Sequence, residues 1–187
     1  MRIIAGTARS RTIEAPKGRD TRPTLDRVRE NLFNILQMRI FDAVCLDLFA
    51  GSGALAFEAL SRGASHAVLC DHDRNAHLVE KKNAQSLGFD ERCEIFLSDW
   101  HDAVQRLSGR AFDLIFLDPP YMMHDLRDVT EACEKLLAED GRVVIEFEND
   151  QLPQISERLN ILDRRRYGIV GIAICGRTVS EEENEHA

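Results

Sequence analysis

Asp118, Pro119, Pro120 and Tyr121 directly follow the apolar run "FDLIFL", where an ordinary strand exit would use a short polar turn. The two prolines remove backbone donors and force an extended exit. What remains is a set of acceptors, the carbonyls of Asp118 and Pro119 and the Asp118 carboxylate, beside an aromatic ring. This set suits one task, holding the exocyclic amino nitrogen of a nucleobase. Such a nitrogen is a poor nucleophile because its lone pair is delocalised into the ring. Acceptors on its two hydrogens turn the lone pair toward an electrophilic methyl, while Tyr121 stacks on the base and keeps its plane. The base must be unpaired or extruded to reach the site. A plain strand terminator would explain a lone P-P-Y, so the reading depends on what precedes it.

What precedes it is a glycine loop, "LDLFAGSGALAFEALSRG". Gly51 and Gly53 let the backbone turn tightly against a ligand, and the helix that follows offers free N–H groups. With Ala56 the spacing is G-x-G-x-x-A, and Asp71 stands 20 residues beyond Gly51, placed for a ribose hydroxyl. The loop alone indicates an adenosine-type cofactor and leaves NAD and S-adenosylmethionine both open. Asp47, four residues before Gly51, favours the latter: a carboxylate there faces the ammonium of a methionine moiety and gives a pyrophosphate nothing. In "LSDW", Asp99 can accept from an adenine amino group while Trp100 covers the ring. Phe49 and His72, beside the glycines and Asp71, join this cofactor set. Three acids at the ends of three successive strands line one crevice.

The elements that must position these residues can be read from the runs between them. "AVCLDLF", "HAVLCD", "CEIFL", "FDLIFLD" and "GRVVIEFE" are short apolar runs, separated by helical stretches at 53–63, 73–87, 101–108 and 127–140. In the last, Val129, Cys133, Leu136 and Leu137 share a face. The alternation indicates an α/β fold of repeated βαβ units around a mostly parallel sheet. "NILDRRRY" and "GIVGIAIC" almost touch in sequence and are expected as an antiparallel edge pair, with Arg164, Arg165 and Arg166 on a solvated strand edge. Near the start, "RIIAGTARSRTIEAP" reads as two short strands and a turn. After Pro23, Thr24 is placed to cap a helix with Val28, Leu32, Ile35 and Leu36 on one face.

The net charge of −8 hides an asymmetry. Residues 1–39 carry nine Arg or Lys against four acids, a balance of +5, and the rest of the chain is −13. A basic segment on an acidic body suggests a polyanion-binding surface. The expected organisation is a basic extension over 1–39, a catalytic domain over 40–178 and an acidic disordered tail over 179–187. No run approaches a membrane span and no secretory signal is visible. Five widely spaced cysteines without a C-x-x-C pair fit a reducing cytoplasm, and the six histidines show no metal-ligand spacing.

D-P-P-Y together with D-x-F-x-G-x-G resembles the class I amino-group methyltransferases of nucleic acids. More narrowly, "RIIAG", "TRPTLDRVRENLFNIL", "LDLFAGSGALAFEALSRGA" and "DPPY" resemble the bacterial 16S rRNA guanine-966 N2-methyltransferase family, from about Arg2 to "YGIVGIAI". The resemblance implies a Rossmann-like, seven-stranded sheet with an N-terminal hairpin and helix. It also implies RNA contacts by Arg2, Arg9, Arg11, Arg22, Arg27 and Arg29. The substrate would be 16S rRNA, within the 30S subunit or an assembly intermediate, and the protein a cytoplasmic monomer without metal. Where relatives often have glycine in the hairpin turn, this chain has Ser10. In the expected reaction the methyl moves in line from S-adenosylmethionine, with Asp118, Pro119 and Tyr121 holding the base and Asp118 or water taking the proton. Three other readings stay open: methylation of adenine N6 in DNA or rRNA, an NAD(P)-dependent oxidoreductase, and a catalytically silent RNA-binding module.

Overall fold

The structure, a computed structural model, describes residues 1–16, 23–120, 123, 125–148 and 152–178, with the side chains of 23–25 also outside this set. Seven strands form one sheet: β1 (Val44–Asp47), β2 (His66–Asp71), β3 (Cys93–Leu97), β4 (Phe112–Leu117), β5 (Leu137–Glu148), β6 (Leu159–Tyr167) and β7 (Val170–Arg177). Their order is β3-β2-β1-β4-β5-β7-β6, parallel through β5 and antiparallel at the β5–β7–β6 edge. Among the described residues, five α-helices accompany them: α1 (Pro23–Ile35) before β1, then α2 (Ala54–Ser61), α3 (Arg74–Leu87), α4 (Trp100–Arg106) and α5 (Leu126–Glu134) between successive strands.

Side chains alternate across each strand, so the central strands feed two cores. Cys45, Leu114, Phe116 and Val144 pack with α1, α2, α3 and the N-terminal segment. Leu46, Ile115, Leu117 and Ile145 pack with α4 and α5. Both faces are covered, which is why these strands are apolar throughout instead of alternating. From β1 the chain crosses one way to β2 and later returns on the other side as β4. The β1–β4 boundary is therefore the topological switch point, where α/β sheets open a crevice at their strand C-terminal ends.

Four local expectations are revised. The helix expected over 127–140 stops at Glu134, because Phe112 N donates to Leu136 O at 2.8 Å and draws the chain into the sheet. β5 thus starts at Leu137, and the ladder shifts register before Leu114 meets Arg142. On α1 the buried stripe is Val28, Arg29, Leu32, Phe33 and Leu36, with Ile35 on its exposed margin. Phe33 holds this stripe to the sheet, 5.8 Å from the Phe116 ring. The helix also begins at Pro23, whose missing N–H costs nothing in a first turn, so Thr24 lies inside it. The N-terminal hairpin reduces to a single bridge, Arg2 with Thr12. Ser10 in its turn takes φ +67°, the left-handed conformation that a glycine adopts without strain. The tail at 179–187 lies outside the described residues.

The N-terminal segment is tied down by α2. Glu58, fully buried, accepts from Ile4 N at 2.8 Å, Ala5 N at 3.1 Å and Arg62 Nε at 2.7 Å. Ala8 N donates to Ser61 Oγ at 2.9 Å and Thr7 N to Ser61 O at 2.8 Å. Gly6 lies so close to this turn that a Cβ would fall 1.8 Å from Ser61 O, at a φ of +82°. No other residue fits there.

Candidate active site

The glycine loop leaves β1 at the switch point. Gly51 and Gly53 both have positive φ, and Gly53 caps α2 in the left-handed conformation. A Cβ on Gly53 would meet the Phe57 ring at 2.3 Å. Asp71, at the end of β2, braces the loop: its Oδ2 accepts from Gly51 N at 2.9 Å and its Oδ1 from Asp73 N at 2.8 Å. Asn83 on α3 holds the other side, donating to Ser52 O and Glu14 O at 2.9 Å each.

Asp47 lies at the head of this loop, 1% exposed, and neither of its oxygens has a hydrogen-bond partner among the described residues. Burial, then the charges of Asp118 and Asp71, push its pKa up to about 8; the amides of Phe49 and Ala56 offset this in part without making bonds of ordinary geometry. A buried carboxylate left without a donor costs free energy unless something else supplies one. An ammonium group would supply it.

Beyond the loop is a cavity of about 380 Å³ lined by Leu48, Phe49, His72, Ser98, Asp99, Trp100, Pro120 and Met123. Its largely apolar walls and few polar groups match an aromatic ring with a polar edge. Asp99 caps α4, its Oδ1 accepting from Asp102 N at 3.0 Å, and so reaches the cavity from a fixed position. Trp100 is the first residue of α4 and stacks on His101 with centroids 3.5 Å apart. Exposed His72 sits on the rim, 3.6 Å from Asp71.

Asp118 and Pro119 emerge beside this cavity, one rung past the last β4–β5 pair, Leu117 with Ile145. Asp118 is half-buried and Pro119 buried. Met123 N donates to Pro120 O at 2.9 Å and folds the exit back on itself. Tyr121, the expected stacking ring, lies outside the described residues, as does Arg22. The structure therefore brings together Asp47, Phe49, Gly51, Gly53, Asp71, His72, Asp99, Trp100, Asp118 and Pro119 at the C-terminal ends of the parallel strands, around the switch point.

The basic set divides. Arg2, Arg9 and Arg27 are exposed. Arg11 is exposed but donates to Leu87 O at 3.1 Å and to Ser86 O, capping the end of α3. Arg29 is corrected: it is 5% exposed, pairs with Asp26 at 3.0 Å and lies 3.8 Å from Glu58. Its guanidinium is committed to the interior and offers nothing to RNA. Sequence reasoning missed Glu146 on β5. The rule that found Asp47, Asp71 and Asp99, an acid at a strand's C-terminal end, would have found it too.

Among the described residues there is no metal-ligand cluster and no helix long and apolar enough to cross a membrane. The strand order, the glycine loop and the acids at the switch point define a class I methyltransferase. The chain belongs to the family described as Conserved hypothetical protein 95, whose model matches residues 1–176. It is 36% identical to YlbH of Bacillus subtilis, over 93% of this chain and 97% of that one. It is equally similar, at 36%, to ribosomal RNA small subunit methyltransferase D of Haemophilus influenzae, over 91% and 90%. The solved structure of yhhF from Escherichia coli superposes with a TM-score of 0.82 at 34% identity, covering 96% of this chain and 99% of that one.

Proposed function

We propose that this protein transfers a methyl group from S-adenosylmethionine to the N2 amino group of a guanine in 16S rRNA of the small ribosomal subunit, of the guanine-966 type. One observation carries the reading: a buried, unpartnered carboxylate, Asp47, stands beside the acceptor-rich exit at Asp118, across the switch point. The relatives named ribosomal RNA small subunit methyltransferase D support the rRNA substrate.

When bound, S-adenosylmethionine supplies an electrophilic methyl on a sulfonium. Asp47 accepts the methionine ammonium and relieves its own orphaned burial. Gly51 and Gly53 let the backbone approach, and Asp71 keeps lone pairs for the ribose. Asp99 accepts from the adenine amino group, with Phe49, His72 and Trp100 closing around the ring. Asp118 and the Pro119 carbonyl hold the two N2 hydrogens, and Tyr121 stacks on the base. Arg2, Arg9, Arg11, Arg22 and Arg27 contact phosphates. Such contacts orient the RNA without reading its sequence, and they make binding fall steeply with salt. On this reading residues 1–39 extend the 40–178 catalytic domain toward RNA, and a cytoplasmic monomer acts on 30S particles.

The test is tritiated S-adenosylmethionine with unmodified 30S subunits, followed by nucleoside analysis. Label in N2-methylguanosine is expected. Label in N6-methyladenosine, or none, would overturn the assignment.

A further inference from the structure

A second cavity, of about 340 Å³, opens where β4 and β5 end. Pro119, Pro120 and Met123 line one part of it, and Glu146 lies in another. Pro120 and Met123 also line the cofactor-side cavity, so the Asp118–Pro120 exit stands between two chambers. Both volumes fall within the roughly 300–1,000 Å³ of small-ligand clefts. One chamber suits the adenosine end of a cofactor, which leaves the β5 side for the base.

Glu146 follows Ile145 as Asp118 follows Leu117, and Ile145 and Leu117 are partners in the parallel ladder. Asp118 and Glu146 therefore occupy the next rung, on adjacent strands and on the same face of the sheet. The charge of Asp118 is felt at Glu146: burial, then Asp118, pushes the Glu146 pKa up to about 8.

This pairing matters if the target is the guanine N2 proposed above, on which the inference rests. Guanine carries the N1–H donor immediately next to its N2 amino group, and O6 beyond that. We propose that Glu146 selects guanine: its carboxyl accepts the N1–H of the base whose N2 amino group Asp118 and Pro119 hold. Adenine and 2-aminopurine present a bare lone pair at N1, which this carboxyl meets with an oxygen. A site built around a polar group rejects an analogue lacking its partner, because the buried group is left unpaired.

Guanine and 2-aminopurine both carry the reacting N2 amine, so the comparison isolates the lactam edge, N1–H with O6. The experiment uses reconstituted 30S particles whose 16S rRNA carries either base at the labelled nucleotide, with the intact protein and its Glu146→Ala and Glu146→Gln variants. The wild type should favour guanine by about 100-fold or more. Glu146→Ala should lower kcat/KM on guanine by about 10- to 100-fold, the worth of a charge-assisted hydrogen bond. Its affinity for S-adenosylmethionine by calorimetry should stay within about twofold of wild type, which also reports correct folding. Glu146→Gln can turn its amide to donate to N1, so its preference for guanine should fall at least about tenfold. Unchanged preference in Glu146→Gln, or wild-type turnover of guanine by Glu146→Ala, overturns the role of Glu146 while the guanine N2 reading survives. If the wild-type protein puts no label in N2-methylguanosine, that reading falls and takes this inference with it.

Discussion

Glu58 and Asp47 are two of the acids almost completely removed from water, and they are treated in opposite ways. Glu58 on α2 is met by two backbone amides and Arg62, with Arg29 3.8 Å away. Asp47 at the end of β1 is met by no donor among the described residues, and other carboxylates face it. Buried charge is costly unless it is paired, so the first arrangement is a finished structural joint and the second is incomplete by itself. Burial alone does not separate these two acids, and hydrogen bonding does; fully buried Glu80 on α3 shares with Asp47 the lack of a donor among the described residues. Burial and the pair with Asp26 moved Arg29 from the expected RNA surface to this joint.

Replacing each acid would test this contrast. Glu58→Ala leaves half-buried Arg62 without its carboxylate and buried Arg29 with Asp26 alone, and it frees the amides of Ile4 and Ala5. Such a loss costs about 3–5 kcal/mol, visible as a large fall in denaturant midpoint. A midpoint within error of wild type would dissolve the distinction. Asp118→Ala should instead leave melting and S-adenosylmethionine affinity nearly unchanged while kcat drops about 10²- to 10³-fold, as for other preorganised polar groups lost from a transition state.

Asp47→Asn should weaken S-adenosylmethionine about 10- to 100-fold by calorimetry, the range for a hydrogen bond to a charged group. Its effect on stability has the opposite sign to that at Glu58. The raised pKa of Asp47 means that the fold holds a proton which the unfolded chain has released, between the ordinary carboxylate range and about pH 8. Stability of the cofactor-free protein therefore falls as pH rises through that window. Glu80, pushed up to about 9 by burial and then by Asp71 and Asp47, and Glu146 act in the same sense. Melting curves taken from about pH 5 to about pH 8 should thus decline less steeply for Asp47→Asn than for wild type. An identical slope would mean that Asp47 is ionised in the fold. The smallest effect belongs to Ser10→Gly: relief of its left-handed φ should raise stability by up to about 1 kcal/mol, with no change in activity.

Much of the site was legible because its signals are local. The glycines declare a turn by lacking a Cβ, the prolines declare an extended exit, and acids at strand ends follow from period and spacing. The ends of α5 and β5 were not legible, since Leu136 and Leu137 suit a helix face as well as a strand. The Phe112 N–H from a distant strand decides between them. Ile35 and Phe33 were misordered for a similar reason: the helical period tolerates either on the stripe, and contact with Phe116 chooses Phe33.

The motif residues and their order along the chain were enough to determine an α/β fold, an adenosine-type crevice and an amino-holding exit at Asp118. Only the tertiary structure decided which charges face inward. Arg27 and Arg29 are two residues apart on one helix, yet one is exposed and the other is shut against Glu58. The pairing of β4 with β5, 28 residues apart at Leu117 and Ile145, likewise brought Glu146 beside Asp118. Local sequence carries propensity and spacing, whereas burial and charge pairing depend on residues that meet only after the chain has folded.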